Sequence, residues 1–97
     1  MDKSKHVINL DRERTLKYDY NALALAEKET GKNLLTDLGS LRRLSITDLR
    51  SLLWAGLLHE DPELTVEAAG RLLKPSNTRA AIKAVVTGLN DFFGEKS

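Results

Sequence analysis

Apolar residues are most concentrated between Asp48 and Leu64, where the chain reads DLRSLLWAGLLHEDPEL. The apolar run fills less than three helical turns before an Asp-Pro pair ends it. It is shorter than the about 20 residues that cross a bilayer, and its apolar residues are not confined to one stripe. The segment therefore predicts a helix that is surrounded by other helices or that offers part of its surface to a partner.

The ends of this central helix carry specific signals. Ser45 and Asp48 have the spacing of a capping box, so the helix should begin there. Gly56 lies inside the helix and disfavours it by about 1 kcal/mol relative to alanine, so we expect another backbone to approach closely at that point. His59 lies in the last turn, where a donor or cation can stabilise the exposed carbonyls. Pro62 then forces the exit.

The N-terminal part of the chain predicts a β-hairpin. Val7–Leu10 and Thr15–Tyr20 are the expected strands, on either side of a charged turn at Asp11–Arg14. Apolar and polar residues alternate along the second strand, which is typical of a strand with one buried face. That face comprises Leu16, Tyr18 and Tyr20. Because an isolated hairpin is marginal in water, it should pack on the helices that follow.

Capping residues delimit further helices. Asp19 or Asn21 can begin a first helix, and Gly31 suits its C-terminal end. A second segment, Leu34–Leu44, also has helical spacing, although Gly39 interrupts it. Thr65 is positioned to cap a short helix, which we place at Val66–Lys74 because Pro75 ends it.

The final helix has the clearest amphipathic pattern. Ser76 or Asn77 should begin it and Gly94 should close it. Its apolar positions recur at spacings of three and four and predict one buried stripe. These positions are Ile82, Val85, Val86, Leu89, Phe92 and Phe93.

Together these patterns predict a mainly α-helical fold, a bundle of four to five short helices preceded by a small N-terminal β-hairpin. We expect a flexible N-terminus at residues 1–5, a single domain at 6–94 and a short tail at 95–97. Within the domain, the hairpin should cover about residues 6–19 and the helices about 20–94.

Composition narrows the classes of function. A chain of 97 residues is long enough for one compact core. Its 15 basic and 14 acidic residues give a net charge of +1, which provides no strong field for nucleic acid or an anionic membrane. The chain has no cysteine, which excludes disulfides and thiol chemistry. Its N-terminus has no apolar signal region, so we expect a cytoplasmic protein that is not secreted.

Candidate chemical groups do not assemble into a site. His6 and His59 lie on different elements, and the His59–Asp61 corner is better explained as a solvated helix end than as a metal site. Glu27 and Glu29 diverge on a helix and cannot act as a paired acid and base. We find no phosphate-binding glycine loop and no nucleophile with an adjacent base. The prediction is a protein that is not an enzyme and has no metal or cofactor.

A nucleic-acid interface is the alternative that basic residues suggest. Arg42, Arg43 and Arg50 are close in sequence, and short helices can form a helix-turn-helix. Acidic residues follow closely and aromatic residues are few, which favours a solvated polar face instead. A DNA-binding regulator is therefore the third-ranked function, and salt-dependent binding to duplex DNA would test it.

The apolar clusters give the candidate binding site. Bundles of short helices often leave a groove that accepts an amphipathic helix from a partner. Residues of the central helix would form the wall of such a groove or support it, and the two phenylalanines would lie at its rim or close the end of the core. The candidates are Leu53, Trp54, Leu57, Leu58, Phe92 and Phe93.

Three segments carry a resemblance to a known family. They read YDYNALALAEKETGKNLL, LRSLLWAGLLHEDPELTVEAAGRLL and the closing amphipathic helix. In their order and spacing they resemble the small tail proteins of siphophages, prophages and gene transfer agents, over most of the chain from about Val7 onward. Ala68 stands where that family often has a second acidic residue. The matching positions are Asn21, Ala22, Leu23, Glu27 or Glu29, Thr30, Gly31, Leu49, Arg50, Leu53, Trp54, Ala55, Gly56, Leu57, Leu64, Thr65, Glu67, Ala69 and Gly70.

Members of that family have been described as tail assembly chaperones and as tail-tube related proteins. The resemblance implies a chaperone that binds and solubilises the long helical tape measure protein in the bacterial host cell while the tail assembles. The alternative is a structural component that contacts the tail tube protein and stays in the particle, which mass spectrometry of purified particles would distinguish. Self-association is a further expected interaction, whereas membrane binding is not expected.

Overall fold

The computed structural model describes residues 7–34 and 44–94 of the chain. Within these ranges the fold is mainly α-helical with an antiparallel two-stranded hairpin at the N-terminus, as predicted. The predicted flexible N-terminus, most of the predicted helix at Leu34–Leu44 and the tail at 95–97 lie outside the described residues. The elements are β1 (Val7–Asn9), β2 (Glu13–Thr15), α1 (Tyr20–Thr30), α2 (Ile46–Leu57), α3 (Val66–Leu72) and α4 (Thr78–Phe93).

Helix α2 lies at the centre of the fold and contacts α1, α3, α4 and β2. Its buried residues extend over most of the helix circumference, and the side that carries Ile46, Arg50 and Trp54 is the less buried one. This confirms the prediction that other elements surround the apolar run. The buried residues of α2 are Asp48, Leu49, Ser51, Leu52, Leu53, Ala55, Gly56 and Leu57.

Side-chain caps set the starts of three helices. Asp19 Oδ1 accepts a hydrogen bond from the Ala22 backbone N–H at 2.8 Å and begins α1. Ser45 and Asp48 form the predicted capping box of α2, and Thr65 caps α3. Each cap binds a backbone N–H that has no partner inside the helix. These predictions from the sequence are confirmed.

The hairpin is shorter than predicted and its second strand lies earlier in the chain. Val7 pairs with Thr15 and Asn9 with Glu13, so the predicted strand at Thr15–Tyr20 is wrong. Beyond Thr15 the chain turns toward α2, where the Lys17 N–H donates to the Gly56 carbonyl at 3.0 Å. The alternating burial of Leu16 and Tyr18 therefore arises from packing on α2 and α4, not from strand pairing.

The Tyr18 ring fills the space between the hairpin and two helices. Its hydroxyl donates to the Leu52 carbonyl at 2.7 Å. The ring tip lies against Gly56 of α2, and one ring edge lies against Gly88 of α4. We predicted that a backbone would approach Gly56, and the Lys17 N–H does so at 3.0 Å from the Gly56 carbonyl. The space that a Cβ of residue 56 would need is taken by the side chains of Tyr18 and Leu16. Burial raises the pKa of the Tyr18 hydroxyl because the charged form would lose its hydration.

His59 has a different partner from the one predicted. Its Nε2 lies 2.6 Å from the Thr15 carbonyl oxygen, and Glu60 Oε2 accepts from the Thr15 N–H at 3.1 Å. Both side chains therefore bind the outer edge of β2 rather than the C-terminal carbonyls of α2. These two contacts hold the hairpin against the end of the central helix.

The buried face of α4 is rotated from the predicted stripe. Val85 and Leu89 are buried as expected, but Ile82 is 37% exposed, and Val86 is only half-buried. Small residues occupy the centre of the face, and the larger side chains lie at its edges. The reason is close packing, since Gly88 contacts the Tyr18 ring directly. The buried residues of α4 are Ala81, Ala84, Val85, Gly88 and Leu89.

Candidate functional site

The six predicted binding residues fall into two groups in the structure. Leu53 and Leu57 are 0% exposed and belong to the hydrophobic core. Neither side chain therefore offers surface to a partner. The other four residues, Trp54, Leu58, Phe92 and Phe93, are half-buried.

Trp54 has a structural partner inside the domain. Its indole Nε1–H donates to the Leu64 carbonyl at 2.7 Å, and the ring packs against the core. This bond joins α2 to the loop before α3. Trp54 therefore stabilises the fold and is not the centre of the candidate site.

Leu58 lines a groove along one flank of α1. The groove encloses about 270 Å³. Leu25 of α1 and Ala55 of α2 form the rest of its apolar lining, together with Ala22. Leu25 is 40% exposed and so leaves apolar surface open at this groove. An incoming apolar side chain would therefore contact both leucines.

Aromatic residues form a row on the other flank of α1. The Tyr20 and Phe92 ring centroids lie 5.1 Å apart at an interplanar angle of 81°. Phe92 and Phe93 are arranged similarly, with centroids 5.0 Å apart at 83°. Edge-to-face pairs at these distances stabilise each other beyond their buried area. Tyr20 is 69% exposed, so the row opens to solvent at its α1 end.

A second groove lies beside this aromatic row. It encloses about 350 Å³ between α1 and the end of α4, with Leu23 and Leu34 at its base. Phe93, Tyr20 and Ala24 also line it, and the small Ala24 side chain takes up little of the space. The Glu27 carboxylate accepts from the Leu34 N–H at 2.8 Å, which fixes the loop after α1 against the groove.

We call the combined surface the α1 face, since α1 is a ridge between the two grooves. It contains three of the predicted residues and two that sequence reasoning missed. Leu25 was missed because it falls outside the apolar run, and Tyr20 because it was assigned to a buried strand face. The α1 face comprises Tyr20, Leu25, Leu58, Phe92 and Phe93.

Charged groups at the α1 face are of both signs. Lys17 and Asp19 lie at the edge of the smaller groove with His59, and Lys28 is exposed on α1. Asp19 caps α1 and His59 binds Thr15, so both already have partners. This surface therefore favours contact with apolar side chains over recognition of one particular charge.

Two ion pairs, each between a buried and an exposed side chain, belong to the fold. Arg14 donates from Nε and Nη2 to the two carboxylate oxygens of Asp11, both at 2.8 Å, and holds the hairpin turn. The hydrogen bond from Arg14 lowers the pKa of Asp11 to about 2. Lys32 Nζ lies 2.6 Å from Asp48 Oδ2 and joins the end of α1 to the start of α2. Burial alone would raise the pKa of Asp48, but hydrogen bonds from Lys32 and Ser45 bring it below its ordinary value.

Two other candidate chemistries gain no geometric support. Within residues 7–34 and 44–94, no three His, Asp or Glu side chains are placed to hold a metal ion. Arg42 and Arg43, two of the three arginines considered for nucleic acid, lie outside the described residues, and Arg50 lies on α2. None of the helices in the described ranges is both long enough and apolar enough to span a bilayer.

Comparison with known proteins yields no relative. No family model, curated protein or solved structure matches this chain. The resemblance to small phage tail proteins therefore depends on the sequence motifs alone.

Proposed function

We propose that this protein is a phage or prophage tail assembly chaperone that is not an enzyme. It acts in the cytoplasm of the bacterial host, where it binds helical segments of the tape measure protein through the α1 face. The supporting observation is the α1 face itself, two adjacent grooves with exposed Leu25 and Tyr20. The sequence motifs described above suggest the identity of the partner.

The shape of the α1 face suits a helix better than an extended strand. An amphipathic helix presents apolar side chains at spacings of three and four residues, which can enter grooves on both sides of a ridge. The grooves enclose about 270 and 350 Å³. Such contacts remove apolar surface of the partner from water and so reduce its aggregation.

Mixed charge at the rim is consistent with a chaperone that releases its client. Exposed ion pairs add little affinity, so the binding free energy would come mainly from apolar burial. A small face with few fully buried anchors gives a complex that exchanges readily. Tube subunits could then displace the chaperone as the tail polymerises.

Co-expression with the tape measure protein of the same gene cluster tests the proposal. Leu25→Lys and Tyr20→Asp place charges on the α1 face at exposed positions of α1, so both variants should fold. Ile82→Lys is the matched control, because Ile82 is 37% exposed, close to the 40% of Leu25, and lines neither groove.

We expect wild type and Ile82→Lys to keep the tape measure protein in the soluble fraction. Leu25→Lys and Tyr20→Asp should leave it in the pellet, with circular dichroism showing that the variants themselves are folded. The proposal is wrong if the tape measure protein is equally soluble with and without this protein. If Leu25→Lys and Ile82→Lys behave alike, the α1 face is not the binding surface.

A further inference from the structure

A third groove, which we call the α2–α3 cleft, lies away from the α1 face. It encloses about 460 Å³ between the first turn and a half of α2 and the C-terminal half of α3. The cleft shares no lining residue with the two grooves beside α1. Its lining residues are Ile46, Arg50, Glu67, Gly70, Arg71 and Leu73.

The Arg50 side chain lies in this cleft, and within residues 7–34 and 44–94 its charge has no partner. Its side chain runs across Gly70, where an added Cβ would lie 2.9 Å from Arg50 Cδ. The Arg50 Nε–H is buried, and it has no hydrogen-bond acceptor among the described residues. A buried donor without an acceptor is unfavourable by about 1–3 kcal/mol, and by more when it is charged. An anion bound in the cleft would compensate the positive charge of this guanidinium.

The remaining charges of the cleft favour an anionic acceptor. Arg71 adds a second guanidinium, and Glu67 is the one acidic lining residue. Among residues 7–34 and 44–94, Glu67 forms no ion pair with either arginine. The cleft therefore has an excess of positive charge, which complements a carboxylate.

Apolar surface lies immediately beside these cations. Ile46 is 83% exposed at the start of α2, and Leu73 is half-buried at the end of α3. An isoleucine that exposed contributes nothing to the core. A ligand that suits the cleft must combine a carboxylate with an apolar group next to it.

We propose that the α2–α3 cleft binds an acidic, leucine-containing segment of a partner protein. A glutamate or aspartate of the partner accepts hydrogen bonds from the Arg50 guanidinium, while a neighbouring leucine covers Ile46 and Leu73. Carboxylates accept two parallel bonds from a guanidinium in this geometry. This interaction is independent of the proposed chaperone function, because it uses a separate surface.

The test uses two synthetic helical peptides with the same leucine stripe, one flanked by glutamates and one by lysines. The readout is the Nε–Hε signal of Arg50 in the full-length ¹⁵N-labelled protein. We expect the glutamate peptide to shift this signal and the lysine peptide to leave it unchanged. Equal effects of the two peptides, or no effect of either, would overturn the proposal.

Variants separate the cleft from general electrostatic attraction. Arg50→Gln should weaken binding of the glutamate peptide about tenfold, equivalent to about 1.4 kcal/mol, and Arg71→Gln should weaken it less. Arg79→Gln is the matched control, since Arg79 is exposed on α4 and does not line the cleft. Arg50→Glu should reverse the preference in favour of the lysine peptide.

Three results would contradict the assignment of the cleft. The first is that Arg79→Gln weakens binding as much as Arg50→Gln does, which would indicate attraction by net charge alone. The second is that the glutamate peptide shifts signals of the α1 face and not those of the cleft. The third is that Arg50→Glu is folded by circular dichroism and still prefers the glutamate peptide.

Discussion

The contacts of Tyr18 with two helical glycines give a stability prediction that can be worked out from distances. A Cβ added at Gly56 would lie 3.0 Å from both Cζ and Oη of Tyr18 and 3.1 Å from Leu16 Cδ2. A Cβ added at Gly88 would lie 3.0 Å from Tyr18 Cε2. The ring cannot move away easily, because it is buried and its hydroxyl donates to the Leu52 carbonyl.

Two opposing effects set the size of the change. Replacing glycine by alanine inside a helix favours folding by about 1 kcal/mol. Overpacking a rigid core opposes it by about 1–3 kcal/mol. Gly56→Ala and Gly88→Ala should therefore each lower the free energy of unfolding by about 1 kcal/mol, and by up to about 2 kcal/mol if the ring does not shift.

Gly70→Ala is the matched control for this prediction. Its added Cβ would lie 2.9 Å from Arg50 Cδ, which belongs to a flexible side chain. Arg50 can move at little cost, so this variant should be neutral or more stable by up to about 1 kcal/mol. Since all three variants gain the same helix propensity, the difference between them isolates the contact with Tyr18.

Urea unfolding followed by circular dichroism measures these differences directly. Combining Gly56→Ala with Gly88→Ala should destabilise by more than the sum of the single changes, because each leaves the ring less room to avoid the other. The reasoning is refuted if Gly56→Ala and Gly88→Ala are as stable as Gly70→Ala.

Two further predictions concern pH. The pKa of Tyr18 is raised in the folded state, so the unfolded state loses its proton first, and stability should fall above about pH 10. Tyr18→Phe should be less stable than wild type by about 1 kcal/mol at neutral pH, because the hydrogen bond to Leu52 is lost. In urea titrations its stability should decline less steeply at alkaline pH. The pKa of Asp48 is lowered, so its contribution is present above the unfolded value of about 3.9 and is lost as the pH falls. Acid unfolding curves should therefore be shallower for Asp48→Asn than for wild type, and equal slopes would contradict the assignment of Lys32 as its partner.

Local signals in the sequence predicted the helix ends well. A capping residue and the N–H groups that it binds lie within three positions of each other, so Ser45, Asp48 and Thr65 could be read directly. Gly31 was predicted for the same reason, and its φ of 74° is the left-handed conformation that glycine adopts most easily. The concentration of leucines predicted a helix that is surrounded or that offers surface to a partner, and α2 contacts α1, α3, α4 and β2.

Features that depend on distant packing were not predictable in the same way. Alternation at Leu16 and Tyr18 has the period of a strand, but only the tertiary fold shows that α2 and α4 bury these residues. Periodicity in α4 identified the large apolar residues, whereas the small residues at its centre are buried because helices approach there. Leu25 carries no local signal that marks it as 40% exposed, because exposure depends on which elements pack around α1.

The most direct test of the central claim is a titration of the ¹⁵N-labelled protein with helical fragments of the tape measure protein. We predict that the largest shifts of backbone signals occur on the α1 face, at Tyr20, Leu25, Leu58 and Phe93. Leu25→Lys should weaken binding about tenfold or more, and Ile82→Lys should leave it unchanged. Absence of shifts at millimolar fragment, or shifts that avoid the α1 face, would contradict the account.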